Sequence, residues 1–386
     1  MNVLVFPGGM PAALGYQQQA RERGERCVGA SSLAYDPAAA AYAAWERLPW
    51  VGEAGFANAV LAVIDRHQIG QIFSPHPAAA VHLREVLRER PLPVLEPQSE
   101  GVVLESPSDV LARAERMLRQ PLRLQFADQP QPALTAFEFA GVLRQASLIE
   151  GSTDDLKIEA LCEIARWAPA GDVVEIGSAY GKSAFVLAWL AGRYSLGPLL
   201  CVDPWDDALP LEHGATPAVR EWARTLNRAE MFRACALALI PWTVGRQINY
   251  LRMTSDQACE VWSKHDFAVA SPEFGHTQYG GRLAILHVDG NHDFEWAARD
   301  IQMWGQLLQP GGWLIVDDYR WTFGSGPREA ADAWLAENAS AVACAFEAGS
   351  ALFVRLKASH SNLERLAFPY AAASASTHPR GSMQTQ

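Results

Sequence analysis

Four apolar runs in the second half of the chain each carry a carboxylate at or beside their end. Residues 173–176 include Glu175, 199–203 close on Asp203, 285–289 on Asp289, and 313–318 on the adjacent pair Asp317 and Asp318. Short runs rich in Val, Ile and Leu, separated by longer stretches of helical pattern, suit the strands of a parallel sheet buried on both faces. In such a sheet the carboxyl ends of the strands line one crevice where ligands sit, so the acids converge on one edge. The first run continues into Gly-Ser-Ala-Tyr-Gly over 177–181 and then directly into an apolar helix. Gly177 and Gly181 let the backbone turn sharply and approach a ligand with no Cβ in the way. The pattern predicts an α/β fold with a nucleotide-type pocket.

The rest of the chain divides by pattern. Residues 1–97 read as a small α/β unit: a strand at 3–6, a turn at Gly8 and Gly9, a helix at 12–23, a strand at 27–30, a helix at 56–67 and a strand at 71–73. The Pro-rich stretch 91–97 marks its boundary, because proline withdraws backbone donors and stiffens an extended linker. Residues 98–150 form a bridging segment with helices at 108–119, with Ser108 as N-cap, and at 135–146. From 151 to 358 strands and helices alternate, closing with a helix at 327–338 and β-like runs at 341–346 and 351–356. The tail 359–386 is rich in Ala, Ser, Thr and Gln after Tyr370, a composition that predicts disorder at its end.

Composition excludes several partners. With 386 residues and 49% hydrophobic content the chain can bury a large core. A net charge of −11, with no basic cluster interleaved with aromatics, argues against nucleic acid as a partner. The six cysteines (Cys27, Cys162, Cys201, Cys235, Cys259 and Cys344) lack zinc-site spacing and fit a reducing cytoplasm. The chain opens on a strand rather than a signal-type segment, and no apolar run is long enough for a membrane span.

The region 151–357 resembles the class I S-adenosylmethionine-dependent methyltransferases. Glu-Ile-Gly-Ser-Ala-Tyr-Gly at 175–181 is similar to that family's first motif, Val-Asp-Pro-Trp at 202–205 to its second, and Gln-Pro-Gly-Gly-Trp-Leu-Ile-Val-Asp-Asp-Tyr at 309–319 to its Pro-Gly-Gly turn and fifth strand. Asp289-Gly-Asn-His292 with Asp317 and Asp318 resembles the metal-dependent sugar O-methyltransferases of macrolide antibiotic pathways. The resemblance implies a Rossmann-like, mainly parallel sheet with a C-terminal antiparallel hairpin, S-adenosylmethionine and Mg²⁺ (or another divalent cation) as cofactors, a small-molecule acceptor of sugar type, natural-product biosynthesis as the setting, and a homo-oligomer. It assigns cofactor binding to Glu175, Gly177, Ser178, Tyr180, Gly181, Ser183, Asp203, Trp205, Ser255, Asp256 and Asp289, with Asp203 on the ribose diol and the Thr254-Ser255-Asp256 segment near the adenine. It assigns the metal to Asp289, Asp317 and Asp318. The N-terminal unit resembles the small Rossmann-like domain that precedes the body of ATP-grasp ligases. No such body follows, so the unit reads as auxiliary, for subunit contact or acceptor recognition.

Physical chemistry fits these roles. An ionised acid has only acceptors and can take both hydroxyls of a diol. Three carboxylates are hard oxygen donors of the kind magnesium prefers. Neighbouring residues on a regular strand face opposite ways, so Asp317 and Asp318 reach one ion only if the chain turns between them. His292, three residues after Asp289, is a candidate general base with a pKa near neutrality. His287, on the strand itself, reads as packed, and His213, His265 and His276 as loop residues that nothing selects. The long connections 205–242 and 271–281 predict acceptor-binding or lid segments; within them Trp205, Trp222, Trp242 and Tyr279 suit either stacking on a sugar or packing. Three competing readings lose on residues. A dinucleotide site wants glycine at 179, where alanine stands. Enzymes that methylate amino groups favour Asn/Asp-Pro-Pro-Tyr where this chain has Asp-Gly-Asn-His, and a non-catalytic scaffold has no need of the carboxylate set.

Overall fold

A parallel sheet in the first half of the chain, and a mainly parallel sheet with a separate two-stranded hairpin in the second, account for the strand pattern. The computed structural model describes residues 1–97, 105–206, 217–242 and 247–358; the tail at 359–386 and His213 lie outside the described residues. The first half runs β1 (Asn2–Val5), α1 (Pro11–Glu22), β2 (Arg26–Ser31), β3 (Ala44–Arg47), α2 (Phe56–His67), β4 (Ile69–Phe73), α3 (Pro77–Val86) and β5 (Val94–Leu95). Its strands are all parallel, in the order β3-β2-β1-β4-β5. Alternation along β1 sets the two faces: Val3 and Val5 pack on Ala13 and Ala20 of α1, while Leu4 packs with Val60 and Leu83 of α2 and α3.

β3, α3 and β5 go beyond the sequence pattern. β5 lies inside the Pro-rich stretch that composition marks as a boundary. Proline is tolerated there because β5 is an edge strand that offers carbonyls: the Ile72 N–H donates to Pro93 O at 2.9 Å and the Ser74 N–H to Leu95 O at 2.8 Å.

Three helices follow, α4 (Pro107–Met117), α5 (Ala136–Ser147) and α6 (Asp155–Ala165). Ser106, not Ser108, caps α4, with Pro107 in the first helical position where its missing N–H costs nothing. Thr135 and Glu138 close a reciprocal capping box on α5. Val110, Ala114, Phe139 and Leu143 of α4 and α5 share one core cluster with Leu161 of α6 and Val173 of the second sheet, so residues 105–150 cover a face of that sheet.

The second half runs β6 (Asp172–Ile176), α7 (Lys182–Arg193), β7 (Leu199–Val202), α8 (Pro217–Thr225), α9 (Arg228–Leu239), β8 (Ile248–Leu251), α10 (Ser255–Lys264), β9 (Ala268–Ser271), β10 (Gly275–Gln278), β11 (Leu283–Val288), α11 (Phe294–Gly305), β12 (Leu308–Val316), α12 (Gly326–Asn338), β13 (Val342–Ala348) and β14 (Ala351–Leu356). The order is β13-β14-β12-β11-β6-β7-β8, with β14 inserted antiparallel between β12 and β13. This is the mainly parallel sheet with a terminal hairpin that the motifs implied.

The stretch 271–281, read from the sequence as acceptor-binding or lid, is held in place. It belongs to a β9–β10 hairpin tied down away from the glycine turn: Tyr279 Oη donates to Leu199 O at 2.9 Å, and the Gly280 and Gly281 N–H groups donate to Asp172 at the start of β6. Among the described residues no helix is long and apolar enough to cross a membrane.

Candidate active site

Backbone hydrogen bonds draw the strand ends together before any side chain acts. The Gly177 N–H donates to Val202 O (2.7 Å), Asp203 N–H to Leu251 O (3.3 Å), Asp289 N–H to Ile176 O (2.8 Å) and Asp317 N–H to Val288 O (2.9 Å). One ladder thus fixes the glycine turn and three of the acids along a single edge. Gly177 and Gly181 have φ of 83° and 88°, a region that other residues adopt only at a cost. A Cβ on Gly177 would collide with the Asp289 carbonyl, and one on Gly181 would meet Cys235 of α9 at 2.9 Å. The turn is therefore pressed between β11 and α9.

At this turn two buried polar atoms have no hydrogen-bond partner among the described residues, Glu175 Oε2 and Ser178 Oγ. Glu175 is fully buried, and its Oε1 is paired with His287 Nδ1 at 3.0 Å. Buried polar atoms without a protein partner call for an explanation, and at a glycine turn a bound ligand or ordered water supplies one. An acceptor and a hydroxyl beside the N–H groups of a helix start suit the ammonium and carboxylate of an amino-acid moiety. Ser183 is buried in the first turn of α7 and Tyr180 is half-buried beside it.

The remaining cofactor assignments find their side chains differently employed. Asp203 accepts the Ala179 N–H at 2.9 Å and the Trp205 N–H at 2.8 Å, bracing two residues with φ of 45° and 41°. It is a staple of the turn, half-buried, and each oxygen keeps a second lone pair. Burial raises its pKa. Trp205 is core: it is 1% exposed, its Nε1 donates to Ala179 O at 2.8 Å, and its ring packs on Phe232 and Tyr250. Ser255 Oγ accepts from Trp304 Nε1 at 2.9 Å, and Asp256 pairs with Arg299 and Thr254, so both tie α10 to α11.

Asp289, Asp317, Asp318 and His292 do come together, but not as one set. Asp318 has φ of 49°, so the chain does turn there, yet the two carboxylates take different partners. Asp318 Oδ2 pairs with His292 Nε2 at 2.8 Å, whereas Asp317 Oδ2 takes the ammonium of Lys157. Potential ligand atoms lie within 4.8 Å of one another in two triads that share Asp289: His287, Asp289 and Asp317 inside, and Asp289, His292 and Asp318 nearer the surface. The ring of His292 lies flat against Trp321, with centroids 4.2 Å apart.

Sequence reading missed Lys157 and discounted His287. Lys157 is 0% exposed and sits on the stripe of α6 that also carries Leu161 and Ile164; a lysine in a core stripe was the available signal. His287 is fully buried, with Nδ1 on Glu175 and Nε2 at 3.8 Å from Asp317. Burial alone would push the Asp317 carboxyl up, but the Lys157 ammonium and then His287 hold it well below the usual range. Burial and the neighbouring Asp317 charge push Asp289 well up. Burial would lower Lys157, yet Asp317 and Asp289 keep it above its ordinary value.

With this geometry in place, a family model described as a methyltransferase domain matches residues 174–319, from β6 to the turn after β12. No curated protein matches. Solved structures with some likeness include the O-methyltransferase NovP (16% identity, TM-score 0.38, 54% of this chain and 83% of that one), the calicheamicin methyltransferase CalS11 (15%, 0.40, 66% and 94%) and the O-methyltransferase TomG from Streptomyces achromogenes, solved with S-adenosylmethionine (15%, 0.34, 66% and 92%). At that distance they say nothing about substrate. Sheet order, glycine turn and matched domain define a class I methyltransferase fold. The chain carries a methyltransferase domain over residues 174–319.

Proposed function

We propose that the chain transfers the methyl group to a hydroxyl of a glycosylated or polyhydroxylated small molecule. The observation that carries this reading is the His292–Asp318 pair, set beside Asp289 at the ends of β11 and β12 and next to the glycine turn. A histidine paired with a carboxylate is a base matched to a hydroxyl proton near neutral pH.

S-adenosylmethionine, when bound, supplies an electrophilic methyl group on a sulfonium. Glu175 Oε2, Ser178 Oγ and the N–H groups of the turn would hold its amino-acid end, and Asp203 has lone pairs left for hydroxyl donors. Asp289, Asp318 and Asp317 are the carboxylates that would hold a divalent cation, which would lower the pKa of a hydroxyl bound to it. Carboxylates suit a magnesium-type ion, whose other positions fall to water and acceptor oxygens. Trp321 keeps the His292 ring flat, Asp318 fixes its hydrogen-bonded nitrogen, and the imidazole removes the hydroxyl proton as the oxygen attacks. The six free thiols suit a reducing cytoplasm as the setting.

The test is turnover of the full-length protein with S-adenosylmethionine and a panel of sugar nucleotides and glycosides, read by mass spectrometry for the gain of one methyl group. His292→Ala should lower kcat by roughly 10²–10⁴-fold, with S-adenosylhomocysteine affinity unchanged by calorimetry. Near-normal kcat in that variant would remove His292 from the chemistry, and failure of the wild type to bind S-adenosylhomocysteine would sink the whole reading.

A further inference from the structure

A lysine with no solvent exposure stands inside the carboxylate cluster, and it changes which side chains are left for a metal. Lys157 Nζ bonds Asp317 Oδ2 and lies 4.0 Å from Asp289 Oδ2. The other oxygen of Asp317 is also committed: Oδ1 accepts from Ser350 Oγ at 3.1 Å and from the Asp318 N–H at 2.9 Å. His287 Nε2, fully buried and without a hydrogen bond among the described residues, stands 3.8 Å from the same Asp317 oxygen. A divalent ion on Asp317 would therefore have to share Oδ2 with a buried ammonium that has nowhere wet to go, setting two cations side by side, or displace it and leave that charge unpaired.

Charge counting points the same way. The Lys157–Asp317 pair is already neutral by itself.

We propose that Lys157 is the resident cation of this site, so that Asp317 is not a metal ligand and the divalent ion is held from the protein side by Asp289 and Asp318 alone. This rests on the metal-assisted reading above and narrows it: the ligand set is one carboxylate smaller than the motif implies, and Lys157 is a positioning residue that anchors the deep side of the site. The absence of a third carboxylate leaves more of the coordination sphere for acceptor oxygens and water. A bidentate acceptor, such as two neighbouring hydroxyls or a hydroxyl beside a carbonyl, is the substrate class that fits.

The experiment is Mn²⁺ binding to the full-length protein, followed by electron paramagnetic resonance, so that no acceptor is needed. Asp289→Asn and Asp318→Asn should each weaken Mn²⁺ binding by roughly tenfold or more, the usual cost of disturbing a metal's ligation. The double variant Lys157→Met with Asp317→Leu removes the neutral pair together and should leave Mn²⁺ affinity close to wild type. Lys157→Met alone frees Asp317 as a third carboxylate and should tighten Mn²⁺ by about tenfold; if that variant does not fold, the double variant decides. Loss of Mn²⁺ binding in the double variant as severe as in Asp318→Asn would overturn the proposal, as would the absence of Mn²⁺ binding in both wild type and Lys157→Met. Calorimetry with S-adenosylhomocysteine on the same samples separates these failures from failure of the methyltransferase reading, since cofactor affinity should hold in Asp318→Asn, in Lys157→Met and in the double variant.

Discussion

The chain contains two glycine turns in the same structural position, each after the first central strand of a parallel sheet and before a helix, and they differ in what fills them. At Gly8 and Gly9 the space is taken by the protein itself. Tyr42 Oη donates to Gly8 O at 2.8 Å, a Cβ on Gly8 would meet the Trp45 ring at 2.9 Å, and one on Gly9 would run into the Asp36 carboxylate. A carboxylate at that point also repels phosphate. At Gly177 and Gly181 the surrounding polar atoms Glu175 Oε2 and Ser178 Oγ are left unspent. A glycine turn is thus a requirement of the strand-to-helix bend, and it becomes a site only where buried polar groups still want partners. The first sheet instead meets the second through His76 at the start of α3, whose ring lies 4.4 Å from Phe323 and 5.7 Å from Trp222. Phe323 in turn packs on Trp321, the residue stacked on His292.

The contrast can be broken by giving each turn a methyl group. Gly177→Ala must fit a Cβ against a backbone carbonyl at positive φ, so it should cost at least about 2 kcal/mol of stability and abolish S-adenosylhomocysteine binding. Gly8→Ala meets an indole that can shift, and cofactor affinity by calorimetry should not change. Equal losses in both variants would mean that the first turn also serves the cofactor.

Asp203→Ala sharpens the role of the staple. It should weaken S-adenosylmethionine by about 1.5–3 kcal/mol, the range for hydrogen bonds to a charged group. Unchanged affinity in a folded variant would show that Asp203 only braces Ala179 and Trp205.

The smallest effect concerns the contact between the sheets. Burial pushes His76 down from 6.5 to about 4, and its Nδ1 accepts the Ala78 N–H. The folded protein therefore prefers the neutral ring, while the unfolded chain takes up a proton below 6.5. The stability this contributes is complete above pH 6.5, falls as pH drops, and is gone by about 4. His76→Asn keeps a helix cap without the titration, so between pH 7 and 5 its melting temperature should fall by about 2 °C less than that of wild type. Parallel losses would take His76 out of the linkage.

The strand-end acids were legible because each closes an apolar run, and the position of Asp203, Asp289 and Asp317 on one edge follows from that pattern alone. What each acid does was not legible. The parting of Asp317 from Asp318 depends on their separate partners, Lys157 and His292, which lie far apart in the sequence. Lys157 meets Asp317 across a separation of 160 residues, and although its place in the core stripe of α6 marks it as buried, nothing local names its partner. Trp205, Ser255 and Asp256 carry motif chemistry but are consumed by packing and by bonds between elements. β5 was hidden by the prolines beside it, because local rules penalise proline in a strand without knowing that the strand is an edge.

Asp317 is steadied by Ser350, in the turn between β13 and β14 and 33 residues further along. The Arg320 N–H donates to Ser350 O as well, so the same turn grips the segment that follows the two acids. On the ribosome this has an order in time. The cofactor turn at 177–181 can close as soon as its neighbouring strands have emerged, but the Ser350 clamp on Asp317 forms only when β14 has joined β12. During synthesis the nascent chain can thus gain a place for the cofactor well before the deep carboxylate has all its partners.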